Sequence, residues 1–321
     1  MGSPRSGTKL LRSLLNRNSL VNLCDPESHF IPYLFQKHGG MPGRFDADLD
    51  ALFADFDQLP FQIYCRSQGR PVMTRRDFQV LEQAYSWSDA FEVILRFYGE
   101  DASAVAGPIW GDKTPSYVLE MDLLKRIFPT ARFVHIVRDP RDVALSAQAA
   151  WRHNPFRTAV KWARDMGAAE HSSTVLGSDY LRVFYEQLIV DPERELRRVS
   201  TFIDRAYEDK MASLSVPSEN IGGARGKRFI DAQNTQKYRG AMSIGMQRRI
   251  EEITFPWLAD PAMPYEVEVA QRFRPVRPLA RKVLTGVDGV RSTLHKMRRK
   301  GMINGLRITV GNRLQKRRTS Q

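Results

Sequence analysis

A strand, a turn and a helix follow one another in ARFVHIVRDPRDVALSAQAAW, residues 131–151, and this order limits the fold more than any other feature of the sequence. Residues 131–137 form a short apolar run rich in β-branched side chains, which predicts a buried strand, and Pro140 marks the start of a helix. The same order recurs at residues 180–185, ahead of a helix predicted over 192–203. This alternation predicts an α/β fold of three layers, in which helices flank a central, mostly parallel sheet.

The first eight residues, MGSPRSGT, have the glycine spacing of a loop that binds phosphate through its backbone N–H groups, and a helix predicted over 8–16 follows directly. ATP-binding loops continue with Lys and then Ser or Thr. Here Thr8 precedes Lys9, so the fit to an ATPase or kinase is poor. Such loops normally follow a buried strand, but only Met1 precedes this one. Either the true start lies upstream or another segment fills the central strand position, and we favour the first because unpaired strand neighbours are unfavourable.

A second candidate anion site follows the predicted strand at 131–137. Arg138 stands at its carboxyl end, and Ser146 lies two turns into the next helix. Open α/β sheets bind ligands at this edge, although Arg and Asp at a helix start also form local caps and ion pairs. Two candidate anion sites in one sheet protein favour the ligand-binding interpretation.

At these two sites the sequence resembles the sulfotransferases that use 3′-phosphoadenosine 5′-phosphosulfate (PAPS), above all the bacterial and tyrosylprotein-type members. PRSGT at residues 4–8 resembles the family's 5′-phosphosulfate loop, and RDPRDVALS at 138–146 resembles its 3′-phosphate motif. Further matches follow in the family's order: PESHF at 26–30, WGDKTP at 110–115, YEQL at 185–188 and KYR at 237–239. The resemblance covers roughly residues 1–260 and implies metal-independent transfer of a sulfuryl group from PAPS to a hydroxyl group.

The resemblance also implies a set of donor-binding residues. These are Pro4, Arg5, Ser6, Gly7, Thr8 and Lys9 in the loop, Arg138 and Ser146 at the 3′-phosphate, Tyr185 at the nucleoside, and Arg225, Lys227 and Arg228 in a late basic loop. Lys9 replaces a second Thr that is common in the family. The late basic residues either close over the 3′-phosphate or belong to a solvated loop.

Catalysis requires a base at the acceptor oxygen and cations at the departing phosphate oxygen. Arg5 and Lys113 are the predicted electrostatic stabilisers. By resemblance to the tyrosylprotein-type members Glu27 is the predicted base, with His29 as the alternative. A carboxylate works as a base near neutral pH when its pKa is raised, so we expect a raised pKa for Glu27.

The charge of the chain is concentrated at its end. Of the net +13, residues 271–321 contribute +14, from fifteen Lys or Arg and one Asp, which leaves −1 for residues 1–270. We therefore expect a catalytic domain over 1–270 and a basic tail over 271–321, in which apolar residues recur at helical spacing. Such a helix either binds an anionic membrane surface or is solvated, and the pattern does not indicate nucleic-acid binding.

The remaining expectations concern location, acceptor and rival functions. Cys24 and Cys65 have no metal-ligand spacing and suit a reducing compartment, and no run is long and apolar enough for a spanning helix, so we expect a cytoplasmic protein, peripheral at the inner membrane face if the tail binds lipid. The acceptor is a glycolipid, carbohydrate, small molecule or tyrosyl group, bound by the helical region 45–107. Rival functions are a nucleotide kinase-like phosphotransferase and a non-catalytic nucleotide-binding module at a membrane.

Overall fold

The computed structural model describes residues 1–99, 109–218 and 225–300, with side chains through residue 289. Within these ranges lie four strands, β1 Val21–Leu23, β2 Ile109–Gly111, β3 Phe133–Val137 and β4 Tyr180–Phe184. The α-helices of the same ranges are α1 Thr8–Leu15, α2 Ile31–His38, α3 Leu49–Asp57, α4 Pro60–Ser67, α5 Trp87–Phe97, α6 Met121–Ile127, α7 Pro140–Trp151, α8 Pro155–Leu176, α9 Tyr185–Val190, α10 Pro192–Phe202, α11 Tyr238–Ala241, α12 Ile244–Leu258 and α13 Pro278–Lys300. Short 3₁₀ helices lie at Asp77–Gln83, Pro115–Leu119, Gly177–Asp179 and Asp209–Ala212.

The strands form two parallel pairs. β1 pairs with β2 from Val21 opposite Ile109, and β3 pairs with β4 from Phe133 opposite Tyr180 through the full five residues of each strand. Both pairs are parallel and each is covered by helices, as the strand–helix alternation predicts. The strands β1 and β2 have three residues each, which is too short for a sequence pattern to indicate them.

The amino terminus lies between the two pairs. The Met1 ammonium donates to the Val134 carbonyl at 2.9 Å, and the Ile136 N–H donates to the Met1 carbonyl at 3.0 Å, which is the pattern of a parallel strand beside β3. A cavity of about 570 Å³ beyond Met1 is lined by residues of both β2 and β3. Met1 therefore takes the position of a strand residue beside β3, between the two strand pairs. Burial lowers the pKa of its ammonium to about 5.

The helical region after α2 has its own apolar core. Phe30, Phe56, Phe91 and Trp87 are fully buried there, and Phe30 contacts Phe56 edge to face, with 5.3 Å between ring centroids. Trp87 and Tyr98 belong to this core, and Trp110 packs on Phe128, so these aromatic rings have core partners within the helical region. Residues 100–108, where the predicted helical region ends, lie outside the described residues.

The apolar spacing of residues 26–37 predicts a helix that starts at Pro26, and this boundary is wrong. Helix α2 begins at Ile31, because His29 has a φ of +53°, outside the helical region. One long helix was not predicted. Helix α8, over Pro155–Leu176, is rich in small and charged residues and has a weak apolar stripe. Its position against α7 and α12 comes from long-range packing.

The carboxyl-terminal helix α13 packs on α8. The buried Asp288 carboxylate accepts from the Asn154 N–H and pairs with Arg157 at 3.1 Å. On the other side of α13, the side chains of Leu279, Val283 and Val287 are exposed. None of the helices in the described part of the chain is both long enough and apolar enough to cross a membrane.

Candidate active site

The amino-terminal loop packs so closely that it requires glycine at two positions. Gly7 has a φ of +91°, and a Cβ there would lie 2.4 Å from the Tyr185 ring. A Cβ on Gly2, whose φ is +149°, would lie 2.3 Å from the Ile136 carbonyl oxygen. The absence of side chains at both positions lets the loop lie between the end of β3 and Tyr185, directly ahead of α1.

The two candidate anion sites lie on the wall of one cavity of about 430 Å³. Arg5 and Gly7 of the loop line it, together with Arg138, Ser146 and Tyr185. Arg5 Nε donates to Ser146 Oγ at 3.1 Å, and an Arg138 N–H donates to the Arg5 carbonyl at 3.4 Å. The loop and the segment 138–146 are therefore near enough to bind the two ends of one ligand.

Local structure explains the position of Arg138. Asp139 caps α7 by accepting from the Arg141 N–H at 2.8 Å, and Pro140 begins the helix, so the chain turns directly behind β3. The Arg138 guanidinium lies 4.3 Å from the centroid of the Tyr185 ring and donates to the Asn234 carbonyl at 2.8 Å. Its Nε has no hydrogen-bond partner among the described residues.

The other predicted donor-binding residues are divided between the cavity and its surroundings. Lys227 lines the cavity and pairs with Asp231 at 2.6 Å, whereas Arg225 and Arg228 are exposed and do not line it. In the loop, Pro4 and Lys9 are partly exposed and Thr8 is buried at the start of α1. Ser6 is fully buried, and within the described ranges its Oγ has no hydrogen-bond partner.

Several cavity residues were missed in the sequence. The side-chain amide of Asn234 donates to the Tyr185 hydroxyl at 2.6 Å, and its backbone carbonyl accepts from Arg138. Asn234 therefore connects two residues that are predicted to bind the donor. Asp142 and Lys237 also line the cavity. Asp142 and Lys237 belong to motifs that resemble the family's, whereas nothing in the local sequence marks Asn234, which is brought in by a loop nearly a hundred residues from Arg138.

The predicted catalytic residues form a second cluster. Lys113 Nζ donates to Glu27 Oε1 at 2.5 Å, and His29 Nε2 lies 3.1 Å from Glu27 Oε2. Lys113 is buried, and Glu27 is half-buried. The Gly2 N–H donates to the Pro115 carbonyl, which ties the amino-terminal loop to the segment that carries Lys113.

The expected raised pKa of Glu27 is wrong for this arrangement. Burial by itself raises the pKa of Glu27, but the hydrogen bond from His29 and the adjacent Lys113 ammonium outweigh it and lower the pKa to about 2. Glu27 is therefore ionised but weakly basic while Lys113 remains on it.

A partly buried acid contacts the residue that caps α7. Glu186 accepts from the Asp139 N–H at 3.1 Å and from the Tyr265 hydroxyl at 2.7 Å. Burial raises the pKa of Glu186 to about 7, against the lowering effect of these two hydrogen bonds. The residue that caps α7 thus rests on a carboxyl group that titrates near neutral pH.

The residues fit an adenosine donor with a phosphate group at each end. The loop offers the buried Ser6 hydroxyl and a side-chain-free approach at Gly7, and the other wall offers Arg138, whose Nε is unsatisfied within the described residues. Buried polar groups of this kind are normally hydrogen-bonded, so a ligand with phosphate oxygens would supply the missing acceptors. The structure thus has an α/β fold, a cavity with two sets of candidate anion-binding groups, and a Glu27–Lys113 pair whose lysine lines the second cavity, of about 570 Å³.

Comparisons with known proteins give the family. The model of the Sulfotransferase family matches residues 1–209, and the chain belongs to that family. It is 27% identical over 278 residues to protein-tyrosine sulfotransferase 1 of Danio rerio, which covers 80% of this chain and 69% of that protein. It is 24% identical over 221 residues to protein-tyrosine sulfotransferase A of Caenorhabditis elegans, 65% of this chain and 50% of that protein.

A solved structure supports the fold. The sulfotransferase domain of the Synechococcus PCC 7002 olefin synthase superposes with a TM-score of 0.50 at 20% identity, over 80% of this chain and 92% of that one. The predicted α/β fold class and the predicted function class, sulfuryl transfer by a sulfotransferase, are confirmed. The family's usual sulfuryl donor is PAPS.

Proposed function

We propose that this sulfotransferase binds PAPS in the cavity between the amino-terminal loop and α7, and transfers its sulfuryl group to a phenolic hydroxyl, with a protein tyrosyl group as the first acceptor to test. The observation that carries the proposal is the convergence of Arg5, Arg138 and Ser146 on one cavity. Support for the acceptor comes from the relatives, which are named protein-tyrosine sulfotransferases.

In this proposal the loop binds the 5′-phosphosulfate and α7 binds the 3′-phosphate. Ser6, Gly7 and Thr8 contribute backbone and hydroxyl donors at the positive end of α1, which favours an anion there. Arg138 and Ser146 bind the 3′-phosphate, and Tyr185 contacts the nucleoside. Each role uses the protein's own hydrogen-bond donors, so we propose that binding requires no metal.

The chemical step uses the second cluster. The acceptor oxygen forms a bond to sulfur while the bond from sulfur to the bridging phosphate oxygen breaks, and Glu27 takes the acceptor's proton. Lys113 and Arg5 stabilise the negative charge that develops on the departing phosphate oxygen. When Lys113 turns from Glu27 to that oxygen, the carboxylate loses a cation, its pKa rises, and it becomes a stronger base.

Calorimetry tests the donor assignment. We expect 3′,5′-bisphosphoadenosine to bind in the presence of a metal chelator and ATP to bind more weakly. A preference for ATP, or a strict need for Mg²⁺, would favour a nucleotide kinase-like phosphotransferase instead. Nucleotide binding without transfer to any acceptor would favour the non-catalytic module.

The acceptor is tested with PAPS and four probes: a tyrosine-containing peptide, a matched peptide with Phe in place of Tyr, a simple sugar and a glycolipid. We expect sulfate on the tyrosine peptide and none on its Phe counterpart. Transfer to the sugar or the glycolipid alone would contradict the tyrosyl acceptor and indicate a carbohydrate acceptor.

We also propose that the tail, residues 271–321, has a function separate from that of the catalytic domain, residues 1–270. In this proposal the tail binds the anionic inner surface of the cell membrane. The exposed Leu279, Val283 and Val287 follow one side of α13, and the charge of the segment is +14. Apolar burial plus attraction to anionic lipid is the usual basis of such binding. Pelleting with vesicles of phosphatidylglycerol and phosphatidylcholine, compared with phosphatidylcholine alone, tests it, with Val283→Asp as the variant and the exposed Val175→Asp as the control.

A further inference from the structure

The two carboxylate oxygens of Glu27 have different partners. Lys113 holds Oε1, and His29 Nε2 holds Oε2. The other ring nitrogen of His29, Nδ1, lies 3.3 Å from Ser116 Oγ. An ionised carboxylate only accepts hydrogen bonds, so Nε2 carries the proton and donates it to Glu27. In a neutral ring Nδ1 is then the acceptor, and Ser116 donates to it.

We propose that His29 is a positioning residue that orients the base Glu27, and that Ser116 holds the His29 ring in the required tautomer. The inference rests on the proposed function, in which Glu27 takes the acceptor's proton. His29 occupies Oε2, so Oε1 is the oxygen that becomes available when Lys113 moves away. Oε1 is therefore the oxygen that faces the acceptor. His29 is then the group that directs the base rather than the base itself.

The backbone at His29 supports this role. Its φ of +53° lies in the left-handed region, which residues with a side chain rarely adopt. Such conformations persist where the surrounding structure imposes them, and they concentrate at functional sites. At this turn the conformation places the ring between Glu27 and Ser116.

The preceding residue clamps the turn. The Ser28 N–H donates to Thr114 Oγ1 at 3.0 Å and to Asp112 Oδ1 at 3.2 Å, and Ser28 Oγ lies 2.7 Å from the Tyr117 hydroxyl. Ser28 and Thr114 are buried, whereas the side chain of His29 is 44% exposed. Packing therefore fixes the backbone of the turn, while the orientation of the ring depends on its bonds to Glu27 and Ser116.

The hydrogen bond from His29 has a second consequence. It favours the ionised form of Glu27, so it keeps the base deprotonated after Lys113 has moved to the donor. A residue that only filled space would not change the pH dependence of turnover. The pH profile therefore separates positioning from packing.

The experiment measures transfer from PAPS to the tyrosine peptide between pH 5 and 9 for His29→Ala, His29→Gln and Ser116→Ala. The control is His171→Ala, which removes another exposed histidine near a carboxylate. We expect His29→Ala to lower kcat on the order of 10-fold to 100-fold, the range seen for residues that orient a metal-ligating side chain, and to move the acid limb of the kcat profile to higher pH. The KM for PAPS stays unchanged. His29→Gln, whose amide can donate to Glu27, recovers part of kcat, and Ser116→Ala has a smaller effect in the same direction.

The outcomes separate the two proposals. Wild-type protein that binds no 3′,5′-bisphosphoadenosine or transfers no sulfuryl group overturns the proposed function. Active wild-type protein with an unchanged kcat and acid limb in His29→Ala overturns the inference, as does an equal loss in His171→Ala. If His29→Ala fails to fold, Ser116→Ala tests the inference instead. This variant loses the hydrogen bond that fixes the His29 tautomer, so the acid limb of its kcat profile should still move to higher pH.

Discussion

Replacing Glu186 by Gln should change how the stability of the protein depends on pH. The partly buried carboxyl has a pKa of about 7 in the folded protein against an ordinary value of 4.5. The folded state therefore binds more protons than the unfolded state between these two values, and its stability falls as pH rises from about 4.5 to about 7. A difference of about 2.5 pKa units corresponds to roughly 3 kcal/mol.

The Gln side chain has the same shape and stays neutral. Its oxygen can accept from the Asp139 N–H, and its amide can donate to the Tyr265 hydroxyl oxygen, so both contacts survive. We expect the variant to match the wild type near pH 5 and to exceed it by ~2 to 3 kcal/mol at pH 8.

The assay is urea denaturation at half-unit steps from pH 5 to 8, analysed as the difference between variant and wild type. Taking the difference removes contributions that both chains share. Tyr265→Phe is the matched control, because it removes one hydrogen bond of the carboxylate and should steepen the fall of stability with pH. Parallel stability curves for Glu186→Gln and wild type would refute the raised pKa of the Glu186 carboxyl.

Two further predictions follow from the site. Arg138→Ala should weaken 3′,5′-bisphosphoadenosine binding in calorimetry by roughly 1.5 to 3 kcal/mol, the usual worth of a charge-assisted contact to one phosphate, and an unchanged affinity would contradict its role. Glu27→Gln should keep that affinity and lower kcat ~10² to 10⁴ fold, the range for loss of a general base, and a near-wild-type rate would move the role to another group.

In the proposed mechanism the Glu27–Lys113 pair imposes an order on the use of the site. In the structure Lys113 pairs with the Glu27 carboxylate, so neither charge is buried alone. We propose that a donor oxygen competes for the ammonium and so exposes the base when it is required. On that proposal, activation of the acceptor is coupled to the presence of the sulfuryl group.

Much of the fold was predictable because its signals are local. The run at 131–137 and the Asp139-Pro140 turn specify a strand end and a capped helix start within a few residues of each other, and the structure has β3 and α7 there. Strands β1 and β2 were not predictable, since three residues carry no periodicity. They form only because each pairs with a segment nearly ninety residues away.

The site divides in the same way. Arg5, Arg138 and Ser146 lie in contiguous motifs, so their types and spacing are enough to indicate an anion site. Their meeting on one cavity wall depends on the packing of α1 and α7 beside β3, which sequence spacing cannot measure. The lowered pKa of Glu27 reversed the expectation from sequence, because Lys113 comes to it from 86 residues away.

By itself the sequence determined the strand–helix order, the glycine-containing amino-terminal loop and the identity of the groups that carry charge, since these depend on neighbours in the chain. Only the tertiary structure decided that Asn234 joins Arg138 to Tyr185, that Ser116 meets His29, and that Met1 lies between two strand pairs. Hydrogen bonds and pKa values are set by atoms within a few ångströms. Folding, not sequence position, decides which atoms those are.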